Sequence, residues 1–426
     1  MIDPQPSSPS GIPADLRRPG TRPGTRILIV VVTVGLLAVL CEWAARATFK
    51  ESQETSLPCL NLTDPVSGVT AKPGTQCRQK MYESRLVDFR FNACGHRTTG
   101  ECRLPPGATD RRIVMIGSSL VEGFGVQLES SFGYRLPAEL RKVQAPDVEI
   151  YNEGMQWGVP RSVALRLQEV LDAKPDAVLW PLTPFDIENA GLRLPYISAA
   201  QPGDQEGSES AVPAHPPATG GGVVARLQAL TDKHGGLTGL VRDGADKLLA
   251  PLRNERAVFA AQHFSFAMQH EFIKHFEANH AESAYLRLDS NGSPEMKTAV
   301  FEKYYAQVSE RLRAAGIPLY VTLLPSHAQV ALLSGYAGDF PELHPRALDH
   351  KLQAIIRSHG DHYVEALDSF AGTGDPADYF FAVDEHMNEA GHAVLAHSLA
   401  AALVKDPAFS AQFAPAASGA STTTKP

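Results

Sequence analysis

The chain is short of several things. Five cysteines in 426 residues are too few for a disulfide-dense scaffold. There is no dense Lys/Arg block, and the formal net charge is −8, so nucleic acid is not expected as a partner. No Gly-Lys-Ser/Thr phosphate loop occurs, and no internal repeat. What is present is apolar material: 43% of residues are hydrophobic and 20% charged, which rules out a wholly disordered or collagen-like chain. At about one domain per 150 residues, the length allows two or three domains.

Metal-ligand spacing is lacking too. His270-Glu271-Phe272-Ile273-Lys274-His275 looks like a zincin helix. Its histidines are five apart rather than four, so they diverge by ~140° around a helix and cannot share one ion. Cys59, Cys77, Cys94 and Cys102 follow one another at intervals of 18, 17 and 8, which match no CxxC zinc pattern. Neither a metal nor a cofactor is expected.

The N-terminus sets the compartment. Residues 1–26 are rich in Pro, Gly, Ser and Arg and read as a disordered cytoplasmic leader. Residues 27–45 follow, with Glu42 as the single acid; a run of this length roughly spans a bilayer core. Arg17, Arg18, Arg22 and Arg26 precede it, so the positive-inside rule puts the bulk of the chain outside. A buried core helix and a cleaved signal peptide (Ala45-Arg46-Ala47 resembles an A-x-A site) are the rivals. An uncleaved single-pass anchor in the cytoplasmic (inner) membrane, with a periplasmic catalytic domain, is the reading adopted. The four clustered cysteines, in the lead-in at 46–110, suit an oxidising compartment and two disulfides. Three pairings are possible; Cys59–Cys77 with Cys94–Cys102 is the simplest.

From 111 to 405 strands alternate with helices. Strands are expected at Arg112–Ile116, Val148–Tyr151, Asp176–Leu182, Pro318–Leu324 and Tyr363–Leu367. Helices are expected at Gln127–Val143, Arg161–Ala173, Pro294–Ala315, Arg346–Ser358 and Asn388–Val404. This pattern predicts an α/β fold, a three-layer doubly wound sheet of about five parallel strands. Residues 198–222 hold five Gly and four Pro and read as a loop within an insertion at about 190–290 that caps the sheet. That insertion carries Phe259, Phe264, Phe266, Phe272 and Phe276. Residues 406–426, rich in Ala, Ser, Thr and Pro, read as a disordered tail.

In such a sheet ligands bind beyond the carboxyl ends of the strands. There stand Gly117-Ser118-Ser119 with Gly123 and Gly125, Asn152-Glu153-Gly154 with Gly158, and Thr183-Pro184-Phe185-Asp186. Asp384-Glu385-His386 precedes the last helix. A Ser opening the first helix, with an Asp and a His from the far end of the chain, suits nucleophilic acyl transfer. His392 falls inside the last helix and is expected to be structural.

These blocks resemble the SGNH hydrolase (GDSL-like) superfamily from about Asn92 to Val404, the insertion excluded. The resemblance implies an SGNH/flavodoxin-like fold, Ser119 as nucleophile, His386 as base and Asp384 as its orienting acid. It also implies backbone N–H groups of Ser119 and Gly154 as oxyanion donors. Asn92-Ala93-Cys94-Gly95-His96-Arg97 resembles the lead-in of membrane-anchored bacterial members, some of which modify envelope polysaccharides. The expected partner is then an O-acylated small molecule or glycan, with the membrane held through the N-terminal helix. Two positions depart from the family. Ser118 stands where it has Asp. Phe185 stands where it has Asn, and losing one oxyanion donor costs ~10²–10³ in kcat. The Ser119 and Gly154 N–H groups would remain, so three outcomes are open: a slower enzyme, one that recruits Thr183 or Asn189 as a donor, or a catalytically silent carbohydrate-binding or assembly protein.

Overall fold

The structure, a computed structural model, describes residues 23–50, 54–103, 111–143, 147–193, 256–288, 292–372 and 374–413. The expectations for residues 1–22, for the loop at 198–222 and for residues 414–426 lie outside the described residues.

The chain opens with α1 (Pro23–Thr48), the one described helix long and apolar enough to cross a membrane. The lead-in then makes two small antiparallel sheets that the sequence did not disclose. The first is β1 (Leu60–Asp64) with β2 (Gly68–Ala71); the second is β3 (Gln76–Gln79) with β4 (Val87–Arg90). Four- and five-residue strands between Gly and Pro leave too little alternation to read. They bury Leu60, Val69, Val87 and Phe89, and disulfides join Cys59 to Cys77 and Cys94 to Cys102.

The main sheet is formed by β5 (Arg111–Met115), β6 (Val148–Asn152), β7 (Ala177–Leu182), β8 (Leu319–Leu323) and β9 (His362–Tyr363). Its order is β6-β5-β7-β8-β9, all parallel: a doubly wound sheet with its switch point between β5 and β7. The central strands are apolar throughout because helices cover both faces. Ile113 and Met115 of β5 face one helical layer, and Val114 faces the other. Pro181 is tolerated because it lies past Leu179, the last β7 residue paired with β5.

The helices of the main domain are α2 (Ser119–Glu122), α3 (Phe132–Lys142), α4 (Pro160–Asp172) and α5 (Pro184–Glu188). The insertion supplies α6 (Arg256–Phe266) and α7 (Gln269–Asn279). Then come α8 (Ser293–Ala314), α9 (His327–Leu333), α10 (Ala347–Ser358), α11 (Glu389–Lys405) and α12 (Pro407–Gln412). One layer holds α3, α11 and α12; the other holds α4, α8 and α10. Each fully buried Leu, Val or Phe contributes about 1.5–3 kcal/mol to this packing.

Three expected boundaries are corrected. The helix expected at 127–143 is split, because Ser131 caps a new helix through the Tyr134 N–H at 3.4 Å. The fifth strand ends at Tyr363, and Glu365 accepts the Leu367 N–H at 3.0 Å to turn the chain away. The chain beyond 405 is not featureless: Asp406 caps α12, and Phe409 and Phe413 are buried. In the insertion, Phe266, Phe272 and Phe276 pack on Ala328 and Leu332 of α9, whereas Phe264 is exposed.

Arg97 ties the lead-in to the main domain. Its guanidinium is fully buried over the Phe89 ring and donates to the carbonyls of Gly123 at 2.5 Å and Val126 at 2.7 Å. Burial pulls its pKa down to about 10, partly offset by Glu122. Arg97→Ala orphans those carbonyls and Glu122, so a loss of about 3 kcal/mol or more is expected in urea unfolding. Arg97→Lys, lacking the planar fork, should recover little of it. Thiol titration of the denatured, unreduced chain should find Cys41 alone reactive.

Candidate active site

The loop after β5 sets the first residue. Ser118 is extended and N-caps α2, so Ser119 occupies the first position of the helix. Gly123 ends the helix in the left-handed region, at φ 86°. Asn152, at the end of β6, braces the next loop: its amide donates to the Val121 carbonyl at 2.7 Å, and its Oδ1 accepts the Gly154 N–H at 2.8 Å. Gly154 lies so close to α2 that a Cβ would meet the Glu122 nitrogen at 2.6 Å and the Val121 carbonyl carbon at 2.7 Å. Its side chain is excluded by that approach.

The loop before α11 delivers the other residues. Phe380 bridges Met387, the Phe381 N–H donates to the His386 carbonyl at 2.9 Å, and the Glu385 N–H donates to the Phe381 carbonyl at 2.8 Å. Glu385 turns left-handed, at φ 68°, which lets Asp384 and His386 point to one side. Asn388 then caps α11 by accepting from Ala390 and Gly391.

The structure brings Ser119, His386 and Asp384 into one hydrogen-bonded line. Ser119 Oγ lies 2.8 Å from His386 Nε2, and His386 Nδ1 lies 2.7 Å from Asp384 Oδ1. An ionised Asp384 accepts from Nδ1–H, leaving Nε2 to accept the Ser119 proton. Burial pulls the His386 pKa down, but the charge and hydrogen bond of Asp384, with the charge of Glu122, carry it above its ordinary value. The Phe124 ring covers the imidazole at 4.8 Å.

The two N–H groups expected as oxyanion donors differ in their engagement. The Ser119 N–H stands in the first turn of α2, where no intrahelical partner exists. The Gly154 N–H, the other expected donor, is engaged by Asn152 Oδ1. Of the two expected replacement donors, Thr183 is engaged and Asn189 is engaged through one of its two amide N–H groups. Thr183 Oγ1 donates to Asp186 at 2.8 Å, and the Asn189 amide donates to the Phe185 carbonyl at 3.0 Å. Asp186 itself is buried, caps α5 through Thr183, and lies 3.4 Å from Ser118 Oγ. Burial pushes its pKa up to about 6.

His392 is buried as expected of a structural residue: it stacks on Phe132, and its Nδ1 accepts the Phe132 N–H at 3.2 Å. Burial pulls its pKa down to about 3, so it is held neutral. His270 and His275 lie on α7, and His270 faces Glu271 at 3.5 Å. Among the described residues no three His, Cys, Asp or Glu side chains gather as metal ligands.

Two buried carboxylates were missed. Glu122, one turn past Ser119, has its pKa pushed up to about 7 by burial, against the pull of Arg97. Glu83, from the lead-in, reaches the loop that carries Asp384. No sequence pattern marks either, since burial of a single acid leaves no periodicity.

No protein-family model matches the chain, and no curated protein matches it. Solved structures do. TesA is 10% identical, with a TM-score of 0.35, covering 69% of this chain and 98% of its own. A G-D-S-L family protein from Desulfitobacterium hafniense is also 10% identical, with a TM-score of 0.32, covering 69% of this chain and 100% of its own. Axe2, an acetylxylan esterase from Geobacillus stearothermophilus, is 13% identical, with a TM-score of 0.33, covering 72% of this chain and 95% of its own. At these identities and TM-scores the chemistry has to be read from this chain's own side chains.

If His386 is the base, it works only when neutral, so turnover should fall as pH drops through its raised pKa. Glu122 helps hold that value up where it is ionised, and its own pKa of about 7 places that ionisation near neutral pH. Glu122→Gln should therefore move the acid limb of the kcat/KM profile to lower pH. An acid limb that stays put in this variant would mean that the Glu122 charge does not reach the base.

Proposed function

We propose that the chain is a serine esterase or O-acyltransferase of the SGNH type. The observation that carries this is the unbroken Ser119–His386–Asp384 line. Ser119 Oγ attacks the acyl carbonyl while His386 Nε2 takes its proton. Asp384 holds the Nδ1–H tautomer and stabilises the imidazolium. The tetrahedral oxyanion is received by the Ser119 N–H; the Gly154 N–H joins it only by releasing Asn152. Collapse expels the alcohol, protonated by His386, and leaves an acyl-enzyme. Water or a hydroxyl acceptor, deprotonated by the same imidazole, then takes the acyl group. No step calls for a metal or cofactor.

The proposed substrate is an O-acyl ester, an acetyl group on an envelope polysaccharide. What supports this is compartment and resemblance. One apolar helix, read as a single-pass membrane anchor, and two disulfides fit a domain on the extracytoplasmic side. The lead-in around Asn92–Arg97 resembles that of envelope-modifying members. The solved likenesses include acetylxylan esterases.

A second reading, a silent carbohydrate-binding or assembly protein, is favoured by Phe185 and by the engaged Gly154 N–H. Serine-directed labelling separates the two. A fluorophosphonate should label the wild type and Ser118→Ala but not Ser119→Ala. His386→Ala should lose nearly all labelling, and adding it to Ser119→Ala should cost nothing further in turnover. His392→Ala should lower the melting temperature more than the rate. A folded wild type that takes no label would support the silent reading.

A further inference from the structure

Glu83 lies between β3 and β4, outside every block that carries the triad, and its side chain is 3% exposed. Both of its oxygens are used. The Val383 N–H donates to them at 3.1 and 3.2 Å, and the Asp384 N–H donates at 3.1 Å. On the other side, His263 Nδ1 of α6 lies 2.5 Å from Oε1. The Glu83 loop is itself braced, since Lys80 Nζ donates to the Met81 and Ser84 carbonyls. Tyr82, next in line, packs under the Arg256 guanidinium of α6 at 3.7 Å.

These contacts bear on a strained segment. Glu385 is left-handed between the triad acid and the base, and such a residue persists only where its surroundings over-determine it. Two adjacent N–H groups held by one carboxylate fix the peptide planes that lead into Asp384. Charge-assisted bonds of this kind are about twice as strong as neutral ones. The far anchor is fixed as well. Glu42 of α1 accepts the Arg256 and Ala257 N–H groups at the start of α6, and His263 meets Phe49 at a ring distance of 4.9 Å.

We infer that Glu83 is a positioning residue for the triad: its carboxylate sets the place of Asp384, and so the orientation of His386, from the lead-in and the anchor-side helix α6. The inference rests on the catalytic reading of Ser119, His386 and Asp384. It adds that the membrane-proximal segment is part of the active site's support rather than a tether.

The test uses the full-length chain with Glu83→Ala and Glu83→Gln. Displacement of a catalytic group by about 1 Å can cost on the order of 10²-fold. Glu83→Ala should therefore lower kcat for an aryl acetate by about 10- to 100-fold, with KM unchanged. Glu83→Gln keeps a carbonyl acceptor for both N–H groups and should recover most of that loss. Wild-type kcat in folded Glu83→Ala overturns the inference, and so does an equal loss in both variants, which would point to charge rather than anchoring. If Glu83→Ala does not fold, Glu83→Asp decides. It withdraws the carboxylate by one methylene, and wild-type kcat in that variant overturns the inference. A readout independent of turnover is the low-field NMR signal of the His386 Nδ1–H bonded to Asp384. Its loss in Glu83→Ala, with recovery in Glu83→Gln, supports positioning even in a protein that Ser119-directed reagents fail to label. Its persistence in Glu83→Ala counts against positioning.

Discussion

The hydrogen bond between Ser119 Oγ and His386 Nε2 joins residues 267 positions apart, and the rest of the site is arranged around it. Neither partner is placed by its own segment alone. Ser119 is set by a strand end, a four-residue helix and the Arg97 fork beneath Gly123. His386 is set by a tight turn that must be fastened to something outside itself, because Glu385 carries left-handed strain. The bond therefore forms only when α11 is docked beside α3, with Leu395 and Leu399 buried in the same layer as Phe132 and Leu136. Packing energy of the apolar layer holds the polar geometry in place.

That geometry sits in an unusually charged interior. Arg97, Glu122, Asp186 and Glu153 are all buried. Burial moves each away from its charged form: the Arg97 pKa falls, and those of Glu122, Asp186 and Glu153 rise. Such groups are expensive, and replacing them by apolar residues would often be neutral or stabilising for a fold. Their concentration around α2 is more easily understood as the cost of a shaped site than as a source of stability. Glu122 has the clearest part: where it is ionised, its charge favours the protonated form of His386, the proposed base.

Much of this was legible in the sequence, for physical reasons. Buried parallel strands such as Val178-Leu179-Trp180 leave continuous apolar runs, and strand ends carry the Gly, Asn and Ser that turns require. The order of Ser119, Asn152 and Asp384-Glu385-His386 followed from those ends. Edges were harder. The lead-in strands are too short to show a period, and α12 hides its buried Phe409 and Phe413 in an Ala-rich segment. Least legible were the bonds made by single residues across the fold. Glu83 to Asp384 spans 301 positions, and Asn152 to Gly154 spans two; neither distance betrays the contact.

At Thr183-Pro184-Phe185-Asp186, where the resembled family carries an Asn donor, the local fold does not depend on the residue before Asp186. Asp186 keeps a structural task there, closing α5 by accepting the Thr183 N–H at 2.7 Å and hydroxyl at 2.8 Å. The position before it has no such task, so Phe185 fits without disturbing α5 or Ser118. What changes is the transition state alone. Thr183 is engaged by Asp186 and one Asn189 amide N–H by Phe185, so on the proposed reading the oxyanion falls first to backbone N–H groups, and one of those is held by Asn152. Rotation of the Asn152 amide away from Gly154 would restore the second donor at the cost of two hydrogen bonds, to Gly154 and to the Val121 carbonyl, about 2 kcal/mol together. An oxyanion-hole donor contributes ~3–4 kcal/mol in the transition state. The exchange is therefore favourable once negative charge develops on the substrate oxygen, and the resting bond between Asn152 and Gly154 is compatible with an active enzyme.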